Sequence, residues 1–128
     1  MARSFLTPLS RARGLGSAHE GTGHFIAQRA TAVASIFLTL FLAVVLVMLA
    51  GRDYQAARAL IANPFVAAGL VATAGTYCWH MKLGMQVIIE DYVHGPVLRP
   101  ALLLANVAFC IAVFLLAVIA IGRIAFGA

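Results

Sequence analysis

Apolar residues in this chain fall into three long blocks, and polar residues collect between them. The first block, Ala30 to Ala50, carries no charge and is built mainly from Leu, Val, Ala and Phe. The second, Phe65 to Ile89, holds His80, Lys82 and Gln86 inside it. The third, Ala101 to Gly122, is again uncharged, with Asn106 its main polar interruption. Each block is long enough to cross a bilayer as a helix, which takes about 20 predominantly apolar residues. Pro64, Pro96 and Pro100 stand at the block edges, where proline suits a helix start or a connecting turn. No strand-like alternation competes, and lipid forbids an open sheet edge. The pattern predicts an all-α membrane protein, a single membrane domain over 1–128. An N-terminal segment, 1–29, leads into three transmembrane helices at 30–50, 65–89 and 101–122.

Composition narrows the class further. Hydrophobic residues make up 63% of the 128 and charged residues 10%, whereas a soluble domain carries about 25% charged residues. Too little polar surface remains to cover a globule, so a soluble enzyme is excluded, and so is intrinsic disorder. Cys78 and Cys110 both lie inside apolar blocks, where they act as small buried residues and not as a disulfide framework. The net charge of +5 comes from eight arginines and one lysine against four acids. In a spanning protein such a balance reports topology before it suggests nucleic acid, which is not expected as a partner. The N-terminal segment and the Glu90–Pro100 loop share one side and contribute Arg3, Arg11, Arg13, Arg29 and Arg99. Arg52, Arg58 and Arg123 fall on the other side. The excess favours a cytoplasmic (or matrix) N-terminus and a periplasmic C-terminus, with the Gly51–Asn63 loop also outside. The Arg-rich segment lacks the short apolar core of a secretory signal and is expected to be retained.

The chemistry sits in the second block. His80 lies about 22 Å along a helix from Phe65 and about 16 Å from Asp91, close to mid-membrane. An ionisable residue at that depth is a functional candidate because hydrocarbon solvates it poorly. One reading is a neutral imidazole bonded to a neighbouring helix; the other is an axial ligand to haem iron. Thr73, Thr76, Gly84, Val87 and Asp91 fall within about 40° of its direction. Small neighbours of this kind suit the close approach of a flat macrocycle and equally suit ordinary helix packing. His19, His24 and His94 lie too far along the chain to share an iron with His80, so a second ligand has to come from another chain. Tyr92 and Asp91 end the block at an interface, where tyrosine is at home as an anchor. A phenol beside a carboxylate is also suited to hydrogen-bonding a quinone carbonyl and delivering protons. Lys82 points about 160° from His80, to snorkel or to meet a partner's carboxylate. Thr31, Ser35 and Thr39 recur every fourth residue as a polar stripe suited to packing on a neighbouring helix. Arg29, at the mouth of the first span, either marks topology or holds an anion such as a haem propionate.

The run from His80 to Tyr92 resembles the signature of the D-type hydrophobic membrane-anchor subunits of succinate dehydrogenase, respiratory complex II. There a histidine precedes a glycine by four residues and an Asp-Tyr pair by eleven and twelve, as His80, Gly84, Asp91 and Tyr92 do here. Arg29-Ala30-Thr31-Ala32 is similar to the family's Arg-x-Thr-Ala entry into the first span. The resemblance implies an anchor without dehydrogenase chemistry of its own, working as one subunit of an enzyme. Its implied partners are a C-type cytochrome b anchor subunit, an iron–sulfur subunit and a flavoprotein subunit, with membrane lipid around it. It further implies a shared haem b with His80 as one axial ligand, Arg29 near the propionates, and ubiquinone as substrate at Tyr92 and Asp91. A bacterial inner membrane is the implied location, with the mitochondrial inner membrane as the alternative. Lys82, His24 and His94 match no role in that pattern. A small proton-coupled transporter or a non-haem assembly or anchor protein, with His80, Lys82 and Asp91 as a polar pathway, stays open as a different class of function.

Overall fold

The computed structural model describes residue 7 and residues 22–127, and among these the regular secondary structure is all helix. Four helices follow in order: α1 (Thr22–Leu49), α2 (Tyr54–Ile61), α3 (Pro64–Tyr92) and α4 (Leu98–Phe126). Arg3, Arg11, Arg13 and His19, and with them the retention of the N-terminal segment, lie outside the described residues.

The helix limits follow from local chemistry. α1 ends at the Ala50–Gly51 turn, where Gly51 takes a φ of 74°, a left-handed conformation that costs glycine little. Asp53 caps α2 by accepting the Ala56 N–H at 3.0 Å. Asn63 caps α3 in the same way, its Oδ1 accepting from Phe65 N at 3.0 Å, with Pro64 in the first turn. Both arrangements satisfy backbone donors that a helix start leaves unpaired. Pro100 falls in the first turn of α4, where its missing N–H breaks no helical bond.

α1 and α4 are each long and apolar enough to cross a membrane. α3 passes that test only together with α2, from which it bends by 76°, because His80, Lys82 and Gln86 interrupt its apolar run. Two to three spans are therefore supported. The helices overrun the apolar blocks: α1 begins at Thr22 and not Ala30, which makes His24 and Arg29 helical. The expected Gly51–Asn63 loop contains α2. A backbone that is already helical keeps its hydrogen bonds satisfied past the hydrocarbon edge, so apolar content underestimates helix length.

α3 is the central element, packed against α1 on one side and α4 on the other, while α2 rests on the end of α4. Among the described residues only Val45, Thr73, Cys78, Leu83, Ile89 and Cys110 are buried. Large apolar side chains such as Phe37, Val47 and Leu116 face outward, the arrangement of a bundle solvated by lipid. The α1–α3 contact is close because Gly69 carries no side chain: the Phe41 ring sits where a Cβ would stand.

Candidate functional site

The polar residues of α3 separate onto its two sides. His80 faces α1, and its Nδ1 lies 2.9 Å from the Thr31 hydroxyl. That hydroxyl also reaches the carbonyl oxygens of Ala27 at 2.8 Å and Gln28 at 3.1 Å. If the hydroxyl donates to His80, the ring hydrogen stands on Nε2. If it donates to a carbonyl instead, its oxygen accepts from Nδ1–H and the lone pair stands on Nε2. The latter is the tautomer of a metal-binding imidazole, whose second nitrogen is usually held by a hydrogen-bond acceptor. Among the described residues no three His, Cys, Asp or Glu side chains converge on a metal position, so a metal held at His80 would need its other ligands from elsewhere.

The polar seam continues above and below His80. One turn towards the start of α3, the Tyr77 and Thr39 hydroxyls are 2.6 Å apart. Ser35 donates within its own helix to Thr31 O at 2.7 Å. The threonine stripe of α1 thus does pack on a neighbouring helix, through two of its three members. One turn beyond His80, Gly84 leaves open space, and a Cβ there would meet only Gln28 Nε2, at 4.0 Å.

Below Gly84 the two helices part around a cleft of about 610 Å³ lined by His24, Phe25, Gln28, Arg29, Gln86, Val87 and Glu90. Gln86 donates to the Glu90 carboxylate at 2.9 Å, and Arg29 lies 5.1 Å from the centre of the Phe25 ring. His24 Nε2 and Gln28 Oε1 are buried without a partner among the described residues. Buried polar atoms are rarely left unpaired, so this cleft is equipped for a polar guest. Sequence reasoning singled out Arg29 and missed the other polar residues here. The missed signal was spacing: His24, Gln28, Thr31 and Ser35 continue one helical stripe at steps of four, three and four residues.

Asp91 and Tyr92 stand at the end of α3, both exposed, Tyr92 by 79%. They do not line the Arg29 cleft. Lys82 takes the opposite side of α3: its amine lies 5.5 Å from the Trp79 ring centre, beside an apolar cleft of about 370 Å³ that includes Cys78, Cys110 and Phe114. Its side chain lies back along α3 towards Trp79. Asn106 donates to the Lys82 carbonyl at 3.0 Å. With Lys82 on the α4 side and His80 on the α1 side, His80, Lys82 and Asp91 form no single polar pathway.

Comparison with known proteins gives the family. Residues 4–120 match the model of the family described as succinate dehydrogenase/fumarate reductase transmembrane subunit. A succinate dehydrogenase hydrophobic membrane anchor subunit of Paracoccus denitrificans is 36% identical over 126 residues, covering 97% of this chain and 95% of that protein. Proteins of the same description from Rickettsia bellii and Rickettsia conorii are 31% and 28% identical, covering 89% and 94% of this chain and 98% and 97% of their own lengths. No solved structure gives a significant match. The chain belongs to the succinate dehydrogenase/fumarate reductase transmembrane subunit family, among the hydrophobic membrane anchors of succinate dehydrogenase.

Proposed function

We propose that this chain anchors a succinate:ubiquinone oxidoreductase in a bacterial inner membrane through three spans, supplies His80 as one axial ligand of a b-type haem, and forms part of the ubiquinone site with Tyr92 and Asp91. The observation that carries the haem reading is the Thr31–His80 hydrogen bond, which engages Nδ1 and, with Thr31 accepting, leaves the Nε2 lone pair for a metal. Gly84 adds space beside it, and the unpartnered His24 and Gln28 atoms near Arg29 suit an anionic edge. A haem bound there supplies one-electron redox capacity. Thr31 holds the imidazole orientation, and Arg29 offers a cation to a propionate at the mouth of the cleft. A second axial ligand comes from a C-type anchor chain, since His94 is about 21 Å of helix length away from His80.

On this reading the N-terminus is cytoplasmic, and the iron–sulfur and flavoprotein subunits dock at the end of the bundle that carries Tyr92. The exposed phenol donates a hydrogen bond to a quinone carbonyl as negative charge develops there, and Asp91 beside it hands on a proton. In the reduced-minus-oxidised spectrum of the purified complex we expect a b-type band with low-spin character. His80→Ala should remove that low-spin signature; an unchanged spectrum overturns the ligand assignment. Tyr92→Phe keeps the ring and removes the donor, and should lower quinone reductase activity by roughly ten- to a thousandfold. Succinate oxidation by an artificial acceptor upstream of quinone should be unchanged, and Asp91→Asn should act in the same direction but less. Wild-type quinone reduction in an assembled Tyr92→Phe complex would leave Tyr92 as an interfacial anchor only.

A further inference from the structure

The end of the bundle away from Tyr92 carries arginines that topology does not call for. Arg52, Arg58 and Arg123 lie at the end expected to face outward, whereas the positive-inside rule places cations on the other side. α2 leaves α3 at 76°. With α3 near the bilayer normal, α2 therefore runs close to the membrane plane, the posture of an interfacial helix. Arg58 of α2 and Arg123 in the last turn of α4 line one open cleft of about 430 Å³ with Tyr54 and Gly127. Gly127 has a φ of 75°, and a Cβ on it would stand 2.8 Å from Arg58 Nη2. The glycine thus lets the guanidinium lie against the end of α4.

Among the described residues the local charge is not balanced. The C-terminal carbonyls of α4 offer about half a negative charge against two guanidinium groups. Asp53 is the acid at this end, and its carboxylate already caps α2. Glu90 and Asp91 sit at the far end of α3, about 40 Å of helix length away. Among the described residues neither guanidinium takes part in a hydrogen bond or an ion pair. Tyr54, Phe65 and Phe126 are exposed by 74%, 85% and 90% at the same end, as in an aromatic belt at the headgroup level.

We propose that Arg58, Arg123 and the Tyr54 hydroxyl form a binding site for the phosphate of an anionic membrane phospholipid. Paired guanidinium forks match phosphate oxygens, the phenol adds a donor, and Ala120 and Ile124 offer an apolar wall to the acyl chains. The site lies at the opposite end of α3 from Arg29 and Tyr92, so it does not depend on the haem or quinone reading.

The test uses the intact complex, delipidated in detergent and titrated with phosphatidylglycerol, phosphatidylcholine or inorganic phosphate, with bound lipid counted by native mass spectrometry. We expect phosphatidylglycerol to bind about tenfold or more tightly than phosphatidylcholine, on the order of one charge-assisted contact. Arg58→Gln with Arg123→Gln should bring that preference to within about twofold while subunit composition and haem spectrum stay as in the wild type. Should the double variant fail to assemble, Arg58→Gln alone should still reduce the preference by several-fold. Equal binding of the two lipids, or an unchanged preference in the variants, overturns the proposal. Saturation of the site by inorganic phosphate, with phosphatidylglycerol no longer bound, overturns the lipid as its occupant.

Discussion

α3 meets its two neighbours in opposite ways. Against α1 it forms a polar seam, with Thr39 to Tyr77, Thr31 to His80, and the His24–Gln86–Glu90 cleft at the end. Against α4 it packs Cys78 and Gly75 beside Cys110 and Phe114, and a hydrogen bond crosses that side from Asn106 to the Lys82 carbonyl. In lipid, apolar contact brings no hydrophobic gain over lipid tails, so the α4 side is held by close packing. A row of polar groups in the same medium is expensive unless each has a partner or a purpose. The α1 side is thus where a function is to be sought, and its open end holds the unpartnered atoms.

That contrast can be broken most forcefully at Gly84. Gly84→Leu fills the space beside His80 without meeting backbone, since the nearest atom to a new Cβ is a side-chain amide at 4.0 Å. The complex should assemble with no detectable haem band, and normal haem content in this variant would show that the space beside Gly84 is not used. A smaller change is expected from Thr31→Val, which keeps the shape and removes the hydroxyl that bonds His80 Nδ1. Loss of an outer-shell partner costs about ten- to a hundredfold in metal affinity, to be read as haem retention on dilution. Thr31→Ser should restore most of it, whereas a purely steric role for Thr31 would make valine the better substitute. The smallest effect belongs to the α4 side. Asn106→Leu removes one interhelical hydrogen bond worth about 0.6 kcal/mol in membrane proteins, measured as resistance of the complex to denaturing detergent. The haem spectrum should not move; a spectral change would mean that the two sides of α3 are coupled.

Much of this was legible along the chain because helical spacing is local. His80, Gly84, Asp91 and Tyr92 share one helix, and their relative directions follow from 3.6 residues per turn. The threonine stripe was visible for the same reason, although its partners were not. His24 was left without a role because it precedes the apolar block, and a hydropathy boundary hid the two extra turns of α1 that carry it into the cleft. α2 escaped because eight mixed residues between two spans look like a loop until Asp53 and Asn63 are read as caps.

The sequence by itself determined the membrane class, the apolar blocks, the place of His80 within its block and the motif that places the chain in its family. Only the tertiary structure decided that the Thr31 hydroxyl is the partner of His80 Nδ1, that Lys82 turns to α4, and that Arg58 and Arg123 share a cleft. The reason is the solvent. In water, a helix shows its packing face as an apolar stripe; in lipid, the outward and inward faces are both apolar, and the pattern no longer says which face meets which neighbour.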